Sequence, residues 1–212
     1  AIPWIIKIIF NFYRVPEEVS GVFWAILRRH GKWQMALDVA SSIIANIRYW
    51  FIKIFLNTEA VAIFSVAQSM YSAVASLLPM KAVIFPIIAE KSGDLDITRK
   101  LAARSTKYSL ILYSVLLFIS LFVAPTFISL FFPKYIVAIF IFQLMALRLP
   151  LNAFSVAQAP LLTVLKEQRY VFFLAIVNAV SVISLSPLLM MRFALPGAVV
   201  EGLITVSIII LI

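Results

Sequence analysis

Long apolar runs separated by short polar breaks make up most of this chain. The runs lie at about residues 34–56, 60–88, 108–131, 136–163, 170–191 and from near Pro196 to the end. Most reach or exceed the ~20 residues an α-helix needs to cross the hydrocarbon of a bilayer. They predict an all-α fold, a polytopic membrane helical bundle of about six transmembrane helices. Asn57-Thr58-Glu59, Phe132-Pro133-Lys134-Tyr135, Lys166-Glu167-Gln168-Arg169 and the stretch from Arg192 to Gly197 read as the turns between them. Pro79 and Pro86 can kink or end the second run, and Pro150 and Pro160 interrupt the fourth.

The longest polar break, Phe85 to Lys107, carries Lys91, Arg99, Lys100, Arg104 and Lys107. It reads as a loop with Ser92-Gly93-Asp94 as its turn and Asp96 or Thr98 as the N-cap of the next helix. Charges at that density cannot lie in hydrocarbon, so this break marks one face of a membrane. Counting cations near the ends of the runs gives that face Arg28, Arg29, Lys32, Lys91, Arg99, Lys100, Arg104, Lys107, Lys166 and Arg169, against Lys53, Lys134 and Arg192 on the other. The positive-inside rule makes the richer face cytoplasmic.

Ahead of the first run, residues 1–33 form an interfacial segment. Val19, Val22, Phe23, Ile26 and Leu27 recur at helical spacing between Glu17-Glu18 and Arg28-Arg29-His30. That spacing predicts an amphipathic helix lying along the membrane surface. The second region, 34–212, is the bundle. Ala1 is not a start methionine and the last residues, LITVSIIILI, stop inside an apolar run, so the chain is expected to be a fragment cut at both ends.

Composition sharpens this picture. Hydrophobic residues make up 64% of the chain, charged residues 13%, and mean hydropathy is +1.07, which excludes an ordinary soluble domain. The net charge of +9 would point to nucleic acid in a soluble protein. Here it gathers beside the apolar runs and points instead to membrane lipids, so no nucleic-acid partner is expected. Cysteine is absent and His30 is the single histidine. Disulfides, thiolate chemistry and Cys/His zinc sites are therefore excluded, and no cofactor, metal or enzyme activity is expected. FSVAQ occurs at Phe64–Gln68 and again at Phe154–Gln158, but the flanks differ and no duplication follows.

Polar side chains inside apolar runs carry the functional signal, because each must face a neighbouring helix or a water-filled cavity. On the second run Ser65, Gln68, Ser69, Ser72 and Ser76 share one helical stripe. On the fourth, Arg148, Asn152 and Ser155 share a face, with Gln158 at its edge, and Arg148 stands near the middle of the run. No acidic residue is expected at that depth, since Glu201 reads as an interfacial residue of the sixth run. Pro150 points to a broken helix, as at many transport sites. On the first run Asn46 lies beside Ser42, Tyr49 and Lys53, with Arg48 at the edge, where Arg48 and Lys53 can also snorkel to the outer surface. The substrate-binding candidates are Arg148, Asn152, Ser155, Gln158, Gln68, Ser72, Asn46 and Arg48.

The segments FPIIAEKSGDLDITRKLAARSTKYSLIL, APTFISLFFPKYIVAIFIFQLMAL, PLLTVLKEQRY and LLMMRFALPGAVVEGLITV together resemble the C-terminal half of polysaccharide flippases. These belong to the multidrug/oligosaccharidyl-lipid/polysaccharide exporter superfamily. GKWQMALDVAS and FLNTEAVAIFSVAQSMYSAVASLLP resemble the first two spans of that half, so the likeness covers residues 32–212. The resemblance implies one bundle of a two-bundle transporter in the cell (cytoplasmic) membrane, multi-pass, with the missing N-terminal half of the same protein as its partner. It also implies a substrate, a lipid pyrophosphate-linked oligosaccharide moved from the cytoplasmic to the outer leaflet for surface polysaccharide biosynthesis. Cations in a dehydrated cavity would suit that anionic headgroup, arginine above all. The alternatives are a drug/cation antiporter or peptidoglycan lipid flippase of the same superfamily, and then a membrane glycosyltransferase or polymerase, which would need catalytic carboxylates in a polar loop.

Overall fold

The computed structural model describes residues 31–91, 94–164 and 168–211. The predicted helix from Glu17 to Arg29, the Ser92-Gly93 step and Lys166-Glu167 lie outside them. The chain divides into two compact units, Ala1–Val39 and Ala40–Ile212. The described residues of the first unit, 31–39, open the first described helix, and the second unit holds the other described elements. In order these are α1 (Lys32–Phe55), α2 (Thr58–Ser76), α3 (Met80–Glu90), α4 (Leu95–Phe131), a 3-10 turn (Pro133–Tyr135), α5 (Ala138–Ala146), α6 (Arg148–Val164), α7 (Gln168–Phe193) and α8 (Leu195–Leu211). Among the described residues there is no strand, as the apolar periodicity requires.

Among the described residues, 3 stretches can cross a membrane by length and composition: Asp96–Phe131, Ala138–Leu162 and Tyr170–Phe193. The pair α2 and α3, bent by 42°, makes a fourth if it is one broken span. The other two expected spans correspond to α1 and α8. Lys32, Asp38, Arg48 and Lys53 interrupt the apolar character of α1, and α8 has 17 residues, short of the ~20 that span hydrocarbon.

The polar break ahead of α4 is helical over most of its length rather than a loop. Asp94, not Asp96 or Thr98, caps α4, its carboxylate accepting from the backbone N–H groups of Asp96 and Ile97. Thr98 is buried and its hydroxyl bonds the carbonyls of Lys91 and Asp94, which closes the α3–α4 turn from inside. At 37 residues, α4 is about 55 Å long, against about 30 Å of hydrocarbon. Its first turns, with Arg99, Lys100, Arg104 and Lys107 all exposed, therefore extend beyond the apolar layer.

Proline sets two breaks. Pro150 has no N–H to give the carbonyl of Ala146, and its ring crowds that carbonyl. The helical ladder is accordingly interrupted at Leu147, between α5 and α6. The buried face nevertheless runs straight through, as Ala138, Phe142, Met145, Leu149, Ala153 and Val156 follow at intervals of three and four. Ahead of Pro79, α2 ends at Ser76 and the chain bends into α3. The carbonyl of Leu78, which also accepts from the Met80 N–H at 2.8 Å, receives the Tyr113 hydroxyl of α4 at 3.1 Å, so the kink is held by a neighbour.

Helix packing is most extensive between α4 and α6 and between α7 and α8. The inner face of α4 is small or polar over most of its length, with Ala102, Ser109, Tyr113, Ser120 and Ala124 before the buried Ile128, while Ile111, Val115, Phe118 and Phe122 point outward. Lipid offers large apolar side chains as good a solvent as a protein core does, so the inside is left to residues that let helices approach closely.

The α7–α8 corner turns on Ala194, whose φ of 52° is left-handed. Its N–H bonds the Met190 carbonyl at 2.9 Å, closing α7 in the conformation that glycine adopts without cost. Three residues on, a Cβ at Gly197 would run into the carbonyl oxygen of Leu189 and come within 2.9 Å of the Met190 nitrogen. Ala194→Gly should stabilise the bundle by about 0.5–1 kcal/mol, whereas Gly197→Ala should destabilise it by about 2–3 kcal/mol. Thermal unfolding in detergent checks the pair, and shifts of the same sign would refute this account of the corner.

Candidate functional site

Glu201 lies at the centre of the polar cluster, although the sequence places it near an interface. It sits on the face of α8 formed by Leu195, Ala198, Glu201, Gly202 and Thr205, and it is 0% exposed. Its Oε2 accepts from Nε and Nη2 of Arg48 on α1, at 3.1 and 2.9 Å. Its Oε1 accepts from the Thr205 hydroxyl, one turn on, at 2.9 Å. Both carboxylate oxygens are thus occupied, which is the condition for an ionised group to persist away from water.

Arg48 reaches this carboxylate because Ile44, Arg48 and Ile52 recur every four residues and α1 turns that face inward, burying both isoleucines. The reading of Arg48 as an outer-surface snorkeller is therefore corrected. Of the face proposed around Asn46, Ser42, Asn46 and Lys53 are exposed, the Asn46 amide bonding the Ser42 carbonyl of its own helix, while Tyr49 packs on Phe64.

Arg148 opens α6, immediately after the break that Pro150 imposes, near the middle of the Ala138–Leu162 stretch. Its guanidinium lies over the ring of Tyr71 on α2, 5.8 Å from the centroid. On another side it rests against Gly202, where a Cβ would stand 3.1 Å from Nη1. Its buried Nε has no hydrogen-bond partner among the described residues, and it lies within electrostatic range of both Arg48 and Glu201. The expectation of no carboxylate near Arg148 is thus overturned. Asn152, one turn along, donates from Nδ2 to the Tyr71 hydroxyl at 2.7 Å. In turn Ser155 bonds the Asn152 carbonyl, which makes it a local backbone ligand.

Four helices therefore contribute to one cluster, α1 with Arg48, α2 with Tyr71, α6 with Arg148 and Asn152, and α8 with Glu201, Gly202 and Thr205. Among the described residues of the cluster, two guanidiniums, one hydrogen-bonded and one within electrostatic range, accompany one carboxylate, leaving one positive charge in excess. Three of the predicted residues, Arg148, Asn152 and Arg48, belong to it. Gln68 and Ser72 bond each other at 3.3 Å on a partly exposed face of α2, away from the buried face carrying Phe64, Ala67 and Tyr71. Gln158 is exposed and lines a separate apolar cleft of about 260 Å³ with Leu161, Tyr170 and Ile209.

Tyr71, Glu201, Gly202 and Thr205 were missed. A signal existed for Glu201, which is the only acidic residue from Gln168 to Ile212 and has a threonine four residues on. For Tyr71 none existed, because an aromatic between serines has no reason to be singled out.

Comparison with curated proteins and with solved structures finds no match. A family model described as polysaccharide biosynthesis protein matches residues 4–134, a segment that carries Arg48 and Tyr71 and ends before Arg148 and Glu201. That match covers more than half of the 212 residues, and the chain belongs to the polysaccharide biosynthesis protein family.

Proposed function

We propose that this chain is part of a transporter that flips lipid pyrophosphate-linked oligosaccharide from the cytoplasmic to the outer leaflet, with the cluster around Arg148 receiving the headgroup. Membership of the polysaccharide biosynthesis family fits a membrane protein that handles glycan precursors. The observation carrying the finer reading is Arg148 itself, a guanidinium in an apolar stretch that no carboxylate among the described residues neutralises directly and whose buried Nε finds no partner among them. An isolated cation there is costly unless an anion or water meets it, and a pyrophosphate supplies both charge and acceptors in the geometry guanidinium binds best. A cation exporter fits less well, because the same cluster surrounds its one carboxylate with two arginines.

The test is translocation by the full-length protein in liposomes, with a short oligosaccharide carried on polyprenyl pyrophosphate or, uncharged, on polyprenol. Flipping of the pyrophosphate lipid at least tenfold faster than of the neutral one is expected. Equal rates would remove the cationic cluster from substrate recognition.

A further inference from the structure

The ion pair between Arg48 and Glu201 does more than neutralise charge. We infer that Glu201 stands in for a substrate phosphate at Arg48, and that displacement of its carboxylate unlatches α1 from α8. This inference rests on the flippase reading and adds a conformational step to it.

Three observations support it. First, one carboxylate oxygen of Glu201 takes both Nε and Nη2 of Arg48, the side of the fork with which arginine also grips phosphate. Second, the partners are unequally enclosed, Arg48 being 15% exposed and Glu201 0%. An anion arriving from the open side meets Arg48 before it meets the carboxylate. Arg148, with its unspent Nε, stands within electrostatic range of the same pair, so a group bridging both guanidiniums has twice the cationic charge that Glu201 engages by hydrogen bonds.

Third, α1 is thinly attached. Among the described residues it takes part in none of the extensive helix–helix contacts. The ion pair, the edge of Tyr49 on Phe64 at 5.5 Å, the buried Ile44 and Ile52 and the half-buried Phe51 are among its ties to the rest of the second unit. Exchanging Glu201 for a ligand phosphate removes the polar tie between the two helices. Glu201 stays with α8 through Thr205, while Arg48 leaves with the ligand. Empty and loaded protein then differ in the position of α1, and the ligand's preference for the unlatched state drives the change.

Because the chain has no cysteine, labels can be placed at will. Spin labels at the exposed positions Trp50 of α1 and Ile204 of α8 report the separation of the two helices in full-length protein held in lipid nanodiscs. Adding polyprenyl pyrophosphate should lengthen that distance by a few Å, on the scale of helix shifts in other switches, and polyprenol should leave it unchanged. Glu201→Gln should show the longer distance without any lipid. It should also bind polyprenyl pyrophosphate about tenfold more tightly, since binding is no longer discounted by the fraction of protein still latched. Thr205→Val, which removes the second hold on the carboxylate, should fall between and guards against a folding defect in the first variant. An unchanged distance in native protein with the lipid measurably bound would overturn the latch and leave the substrate reading intact. Failure of native protein to bind the lipid would remove the substrate reading and the stand-in role with it.

Discussion

Glu201→Ala is expected to lower the stability of the bundle by about 3 kcal/mol, the lower end of what removing one partner of a buried ion pair costs. The lower end applies because Arg48 retains some exposure and can turn towards water. The cause is the charge left behind, since without the carboxylate Arg48 and Arg148 face each other with no anion among the described residues of the cluster, and the Thr205 hydroxyl loses its acceptor. Converting both ends of the pair to methionine should restore most of the loss, because an apolar pair of similar volume has no desolvation to offset. Thermal unfolding in detergent of Glu201→Met, Arg48→Met and the double variant gives the coupling directly. Additive losses, or a Glu201→Ala midpoint within about 1 °C of native, would show that the pair contributes little to stability.

On the proposed flippase function, Arg148→Ala should do the opposite, abolishing glycolipid export while protein level and insertion stay near native. Among the described residues Arg148 makes no direct carboxylate bond. Its visible attachment is the cation–π contact with Tyr71, worth about 0.5–2 kcal/mol, and its removal relieves repulsion from Arg48. Arg148→Lys should restore export only in part, since an ammonium lacks the planar fork. The measurement is export in cells lacking the native transporter, scored beside protein abundance. Normal export by Arg148→Ala would end the site assignment. Loss of export together with loss of protein would make Arg148 a structural residue whose contact with Tyr71 is indispensable.

Helix content and most turn positions were legible because apolar periodicity, prolines and capping residues act locally. Pro150 announces the break at Leu147, and Asn57, whose side chain accepts from the Ala60 N–H, announces the start of α2. The polar stretch before α4 misled because charge density reports exposure rather than conformation, and Arg99, Lys100 and Arg104 are good helix formers. At the site, Arg148 and Asn152 were legible from their shared helical face. Arg48 was legible as a candidate but its pairing with Glu201 was not, since the two are 153 residues apart and nothing local to Glu201 fixes its depth. α8 follows α7 after the single residue Ala194, so the tightness of that corner, unreadable beforehand, decides how far inside Glu201 stands.

The unbroken length of α4 makes it a lever. Its Asp94 cap stands some 24 residues, or about 36 Å, from the middle of its apolar part, with the basic first turns on the way to it. A tilt of about 10° within the bilayer therefore sweeps the capped end sideways by roughly 6 Å. Tyr113, whose hydroxyl holds the α2–α3 kink at Leu78, lies close to the pivot. Small rotations inside the membrane are thus magnified at the basic tip, while the kink they turn about scarcely moves.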